Sequence, residues 1–203
     1  MSKAARLILV RHGETQGESS IRYHGRTDVA LSELGRAQMR CAAHTIHSPS
    51  AIRFAHVFSS PLVRASEGAR IVAGDPVPLI TIEEFAEVHF GLFEGLTADE
   101  IRERYPEEFA RWNVDRLAPT YTYPQGESRA AFAERVERGL ERMLARWTPL
   151  DGDALLVAHR GVIRAIVRKL TVCEPIVELG SIHMLRFDGA WHAESLDVID
   201  HLA

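Results

Sequence analysis

RLILV at residues 6–10 runs apolar and stops abruptly at Arg11-His12-Gly13, and ALLVA at residues 154–158 stops in the same way at His159. Continuous apolar runs of this length, bounded by polar residues, are the signature of strands buried on both faces of a parallel sheet. HVFS at 56–59 reads as a third such strand, followed by Ser60, Pro61 and, one turn on, Arg64. In open parallel sheets, ligands gather beyond the carboxyl ends of the strands. If these three strands are neighbours, Arg11, His12, Arg64 and His159 converge on one crevice.

Between the strands the pattern is helical. Ser32 reads as the N-cap of a helix with Leu34, Ala37, Cys41 and Thr45 on one face, and Pro61 suits the first turn of a helix over about 61–73 that ends near Gly74 and Pro76. Phe132, Val136, Leu140, Met143, Leu144 and Trp147 form a stripe at helical spacing over 128–147, and a further helix follows His159 at 162–170. Asp188-Gly189, between HMLRF and WHAES, predicts a type I′ hairpin. The stretch 89–125 departs from this rhythm. It is rich in charge, aromatics and proline, with a capping box from Thr97 and Glu100 and an interruption at Pro106, and it reads as an excursion over the sheet. Its Phe90, Phe93, Trp112, Tyr121 and Tyr123 either line an apolar pocket or pack together. The pattern predicts one α/β domain over 1–203, a three-layer α/β/α sandwich with a mostly parallel central sheet, in which 89–125 is a lid-like excursion.

Composition excludes more than it reveals. The 203 residues are 46% hydrophobic and carry 24 Lys plus Arg against 28 Asp plus Glu, a net charge of −4. That balance gives no general affinity for nucleic acid, and no segment reads as a membrane span or signal peptide. The expectation is a cytoplasmic protein with no nucleic-acid or membrane partner. Cys41 and Cys173 lack a C-x-x-C spacing and are expected to be small buried hydrophobes. No Walker-type loop, H-E-x-x-H or acidic metal cluster is legible, so a route without metal or cofactor is expected. Two arginines and two histidines at one crevice suit a phosphoryl group, whose oxygens need a cationic clamp, and a neutral imidazole can take that group on nitrogen.

The motifs LILVRHGET (7–15), RYHGRTDVALSELGRAQ (22–38), SSPLVRASEGA (59–69), EVHFGLFEG (87–95), PQGES (124–128) and VAHRGVIR (157–164) together resemble the histidine phosphatase, or phosphoglycerate mutase-like, superfamily across nearly the whole chain. The short EVHFGLFEG and PQGES blocks are most similar to its broad-specificity and α-ribazole phosphate phosphatase branch. The resemblance implies that His12 is a nucleophile forming phosphohistidine, that Arg11, Arg64 and His159 bind phosphoryl oxygens, and that Glu87 is the general acid and then the base. It also implies that Arg22 reaches the same phosphate. Taken alone, Glu87 is hard to tell from Glu83, Glu84 and Glu94, and Arg64 reads equally as a solvated helix residue. Gly13 is expected to leave room in the pocket.

Three positions depart from the family pattern. Glu18 stands where Asn is common, Arg160 where Gly is common, and Gly68 where Thr is common. A carboxylate at 18 would repel a substrate with extra negative charge beside its phosphate. Glu18 and Arg160 either pair across the pocket mouth or Arg160 points into solvent. The resemblance implies hydrolysis of a small phosphomonoester, with cofactor-dependent phosphoglycerate mutase activity as the alternative and a non-catalytic phospholigand-binding protein behind it. The compact, acidic segment after Glu87 lacks the basic groups a mutase needs to retain a bisphosphorylated intermediate. Substrate and oligomeric state are not legible.

Overall fold

The computed structural model describes residues 5–17, 21–48, 52–74 and 77–202. Six strands form one sheet: β1 (Ala5–Arg11), β2 (Phe54–Ser59), β3 (Leu79–Thr81), β4 (Asp153–Ala158), β5 (Ile182–Phe187) and β6 (Trp191–Val198), in the order β3-β2-β4-β1-β5-β6. The pairs β3/β2, β2/β4 and β4/β1 are parallel, whereas β5 runs antiparallel to both β1 and β6. The sheet is therefore mostly parallel, as expected.

Alternation along β1 and β4 supplies both faces. Leu7, Leu9, Ala154 and Leu156 pack with α5 (Arg129–Leu144) and α6 (Arg160–Thr171). Ile8, Val10, Leu155 and Val157 pack on the other side with α1 (Glu33–His47) and α2 (Val63–Ala73). This is the expected three-layer arrangement. From β1 the chain leaves through α1 toward β2, and from β4 it leaves through α6 toward β5 on the opposite face. The gap between the carboxyl ends of β1 and β4 is thus a switch point of the topology, where a crevice opens. No helix among the described residues is long and apolar enough to cross a membrane.

Local signals set most element starts. Ser32 caps α1 through its hydroxyl on the Gly35 amide, Ser128 caps α5 on Ala131, and Thr97 and Glu100 form the reciprocal box that opens α3 (Ala98–Arg104). Pro106 ends α3 and takes the first turn of α4 (Pro106–Asp115). Trp147 is buried beyond the end of α5, where its indole donates to the Gly152 carbonyl at 2.9 Å.

Several expectations need correction. The buried face of α1 is Gly35, Met39, Ala42 and Ile46, while Leu34 and Cys41 are exposed. A Cβ at Gly35 would stand 1.9 Å from the Glu14 carbonyl, so only glycine permits this approach, and it fixes which of two adjacent apolar stripes faces inward. Cys173 is only partly buried. Pro61 precedes α2, whose N-cap is Leu62. The β5–β6 hairpin turns through three residues, Asp188 to Ala190, between the paired Phe187 and Trp191, and not through a two-residue I′ turn. In the excursion, Phe93, Trp112, Tyr121 and Tyr123 pack into a third cluster with Val88 and Ile101, and Tyr121 and Tyr123 also line a cavity of about 620 Å³.

Candidate active site

Strand ends deliver the side chains. Arg11 ends β1 and His12 follows it; His159 follows β4 and caps α6; Arg64 lies in the first turn of α2. They meet at a cavity of about 660 Å³ whose walls include Arg11, His12, Arg64, Glu87, Phe90 and Arg160. Glu87 enters from the segment after β3. His12, Arg64, Glu87 and His159 are all buried, Arg64 being 2% exposed. A charged side chain that far from water needs a definite set of partners. Arg64 has them: Nη1 donates to the Thr27 carbonyl (2.8 Å), Nη2 to the Gly25 carbonyl (2.6 Å) and Nε to His12 Nε2 (3.3 Å). The solvated-helix alternative for Arg64 is thereby excluded.

His12 Nδ1 bonds to the Gly13 carbonyl at 2.8 Å. A carbonyl only accepts, so the ring proton stands on Nδ1 and the lone pair on Nε2, the atom that faces Arg64. Burial, then Arg64 and Arg11, push the His12 imidazole well below its ordinary value, so the ring is neutral. His159 is held neutral in the same way by burial, Arg64, His12 and Arg11. The two rings meet edge-on with centroids 5.1 Å apart. Ser60 bonds to His159 Nε2 at 2.6 Å while accepting from the Leu62 amide. His159 Nδ1 is a buried atom with no partner among the described residues. Desolvation lowers Arg11 to about 10, still a cation at neutral pH; its Nη1 donates to the Val177 carbonyl, and its Nε is a buried donor likewise without a partner. An unmet guanidinium donor beside a second buried arginine favours an anion rich in acceptors.

Glu87 is singled out from its neighbours by contact. Its Oε1 accepts from the Val88 amide (2.9 Å) and Oε2 from the Gly161 amide (3.1 Å), in the first turn of α6. Glu83 is exposed, Glu84 pairs with Arg142, and Glu94 accepts from the Arg26 and Thr27 amides. Arg135 carries no mark in the sequence, yet it anchors the Glu87 segment, donating to the carbonyls of Glu84 (2.6 Å) and Ala86 (2.8 Å) while forked onto Glu127. Arg135 and Gly161 are the residues that sequence reasoning passes over, while Ser60, placed at a strand end by the sequence, gains its contact with His159 only from the fold.

Arg22 lines the cavity wall, but its Nη1 donates to the Gly95 carbonyl and to Glu100 Oε2. Five of the six expected residues, Arg11, His12, Arg22, Arg64 and Glu87, line the cavity, and the sixth, His159, packs edge-on against His12. Gly13 serves packing and not pocket space: a Cβ there would meet the Gly35 carbonyl at 2.4 Å. At Gly68 the space that a side chain would enter is taken by Met39, whose Sδ would stand 3.1 Å from a Cβ at that position. Arg160 lines the cavity, with Nε donating to the Ile176 carbonyl at 3.1 Å. Glu18, and with it the expected Glu18–Arg160 pair, lies outside the described residues.

Two expected results follow from this geometry. A Cβ at Gly161 would stand 2.5 Å from Glu87 Oε1 and 3.0 Å from Phe132 Cζ. Gly161→Ala should displace the carboxylate while helix propensity favours alanine, so kcat should fall about tenfold or more with thermal stability kept. Unchanged kcat would show that Glu87 tolerates the shift. The second concerns pH. Ordinary histidine titrates near 6.5 in the unfolded chain, whereas His12, His159 and His183 (lowered by burial to about 4) stay neutral when folded. Below 6.5 the unfolded state binds more protons, so stability should fall as pH drops from about 7 toward 5. Glu127, whose carboxyl is held below its ordinary 4.5, loses its contribution only at lower pH, so the upper window belongs to the histidines. A thermal midpoint flat across that window would contradict neutral burial.

Comparison with known proteins agrees with this geometry. The family model "Histidine phosphatase superfamily (branch 1)" matches residues 7–189. Adenosylcobalamin/alpha-ribazole phosphatase of Salmonella typhimurium is 32% identical over 203 residues, covering 98% of this chain and 93% of that protein. A 2,3-bisphosphoglycerate-dependent phosphoglycerate mutase of Gloeobacter violaceus is 34% identical over 176 residues, covering 84% and 78%. The alpha-ribazole phosphatase structure from Shigella flexneri superposes with a TM-score of 0.80 at 26% identity, covering 95% of this chain and 96% of that one. Longer mycobacterial relatives share 36% identity over 167 residues, and this chain spans 43% of their length. With both histidines, both arginines and the carboxylate gathered at the switch point of a matching fold, the chain belongs to the histidine phosphatase superfamily.

Proposed function

We propose that the protein hydrolyses a small phosphomonoester through a phosphohistidine on His12. The Nε2 lone pair attacks phosphorus as the ester P–O bond breaks, and the departing oxygen takes the proton of the Glu87 carboxyl. Water then gives a proton to the Glu87 carboxylate and its oxygen attacks phosphorus. The P–N bond breaks, its electron pair returns to Nε2, and phosphate leaves. Arg11, Arg64 and His159 hold the phosphoryl oxygens, whose charge must be stabilised throughout. Arg64 Nε passes from His12 to a phosphoryl oxygen when substrate enters. Residues 89–125 act as a cover, with Phe90 against the leaving group.

The observation that carries the reading is the tautomer of His12: a neutral ring, protonated at Nδ1, presents an unprotonated nitrogen beside a buried guanidinium and a carboxylate. Phosphate release across a panel of sugar, glycerate, nucleotide and lipid-like phosphoesters tests it, with acid-labile phosphoenzyme trapped in parallel. Hydrolysis without a primer supports the phosphatase reading. Isomerisation of phosphoglycerate that depends on a bisphosphate primer would establish the mutase instead, and the acidic α3–α4 segment, with Asp99, Glu100, Glu103, Glu107 and Glu108, counts against that outcome.

A further inference from the structure

The wall of the cavity on the α6 side is a strap, residues 172–181, that links α6 to β5. Two successive carbonyls of this strap hold two arginines: Ile176 accepts from Arg160 Nε at 3.1 Å, and Val177 from Arg11 Nη1 at 3.0 Å. Val177 is fully buried and sits at φ +62, a backbone region that a β-branched residue adopts only when its surroundings impose it. What imposes it lies on β6, away from the cavity. Asp197 grips both amides, Oδ2 accepting from Ile176 N–H (2.9 Å) and Oδ1 from Val177 N–H (2.8 Å).

Asp197 is itself held. It has φ +55, a value that aspartate tolerates, and it lies where the β5–β6 register shifts. Its amide donates to Nδ1 of the buried His183 at 3.2 Å. The ring proton of His183 then stands on Nε2 and is given to Ser181 Oγ (3.0 Å), whose hydroxyl goes to the Glu178 carbonyl (2.7 Å). The Ser181 carbonyl accepts from the Arg11 amide, closing the chain of bonds on the same arginine. Every polar group of this network has one role, so the strap has one arrangement.

We propose that Asp197 is a positioning residue that sets Arg11, and with it Arg160, by clamping the Ile176 and Val177 amides. The proposal rests on the reading of Arg11 as a ligand of the phosphoryl oxygens. Asp197→Gly removes the carboxylate without adding strain at a positive φ, and Asp197→Asn keeps one acceptor and lowers the risk of misfolding. The probe is inorganic phosphate, titrated calorimetrically and as a competitive inhibitor. Asp197→Gly should raise the phosphate Kd and the substrate KM about tenfold, less than the roughly hundredfold that a 1 Å misplacement can cost, and Asp197→Asn should fall between it and wild type. In an Arg11→Met background the same Asp197→Gly change should raise the phosphate Kd much less, because the part of its effect that runs through Arg11 is already gone.

A lowered thermal midpoint with phosphate Kd and KM unchanged would overturn the proposal and leave Asp197 a purely structural residue. So would an equal rise in Kd with and without the Arg11 side chain. The phosphate titration reads the clamp separately from chemistry. A wild type that binds phosphate without turning over substrate would fail the hydrolytic reading while the clamp is still scored, and a wild type that binds no phosphate would overturn both.

Discussion

Replacing His12 with alanine is expected to lower phosphomonoester turnover by roughly 10⁴-fold or more, about 5 kcal/mol of barrier, because it removes the atom to which phosphorus is transferred. Of the other rings nearby, His24 lines the cavity with its Nε2 held by the Gly17 carbonyl. His159, the nearest, has Nε2 engaged by Ser60 Oγ. Water attacking directly would lack both the positioned nucleophile and the division of one displacement into two. The mass gain of one phosphoryl group, seen when wild type is quenched during turnover, should vanish in His12→Ala. Phosphate binding should persist, since Arg11, Arg64 and His159 remain. His12→Asn is the companion variant, because its carbonyl keeps an acceptor for Arg64 Nε. Undiminished turnover in both variants would refute the phosphohistidine mechanism, and loss of phosphate binding with turnover would point to a collapsed pocket.

The parts of this site that are legible in the sequence are those written in local chemistry. An apolar strand that ends at Arg11-His12, another that ends at His159, and caps at Ser32, Thr97 and Ser128 are short-range patterns, and sequence position is enough to place them. Arg64 and Glu87 need the family resemblance, since a cation in a helix and one carboxylate among four have no local mark. What stays hidden depends on contacts across the fold. The inward face of α1 is chosen by the close approach of Gly35 to Glu14, Arg135 reaches back 48 to 51 residues to the Glu87 segment, and Asp197 reaches 20 and 21 residues to Val177 and Ile176. These partners meet only once the sheet has formed. Arg22 shows both kinds of information at once: its motif leads toward the phosphate and it lines the cavity, while only the fold brings Glu100 within bonding distance of it.

The role of Glu87 is open to a sharper test than simple loss of activity, because the two half-reactions ask different things of it. Its carboxylate is fixed by two backbone amides, Val88 on Oε1 and Gly161 on Oε2, and its segment is anchored by Arg135, so Glu87→Gln keeps the length and one amide contact, loses the other because its NH2 cannot accept, and removes the proton chemistry. For an alkyl phosphate the leaving alkoxide needs a proton, and kcat/KM should fall by about 10²–10⁴. For p-nitrophenyl phosphate the leaving group departs without help, so transfer to His12 should stay fast while hydrolysis of the phosphoenzyme, which needs a base to activate water, becomes slow. The expected record is a burst of nitrophenol equal to the enzyme present, followed by a slow steady state in which phosphohistidine accumulates. The wild type, with both steps served by one carboxylate, should show little or none. An equal loss on both substrates with no accumulated phosphoenzyme would mean that Glu87 shapes the pocket and moves no proton, and the acid and base would have to be sought elsewhere on the cavity wall.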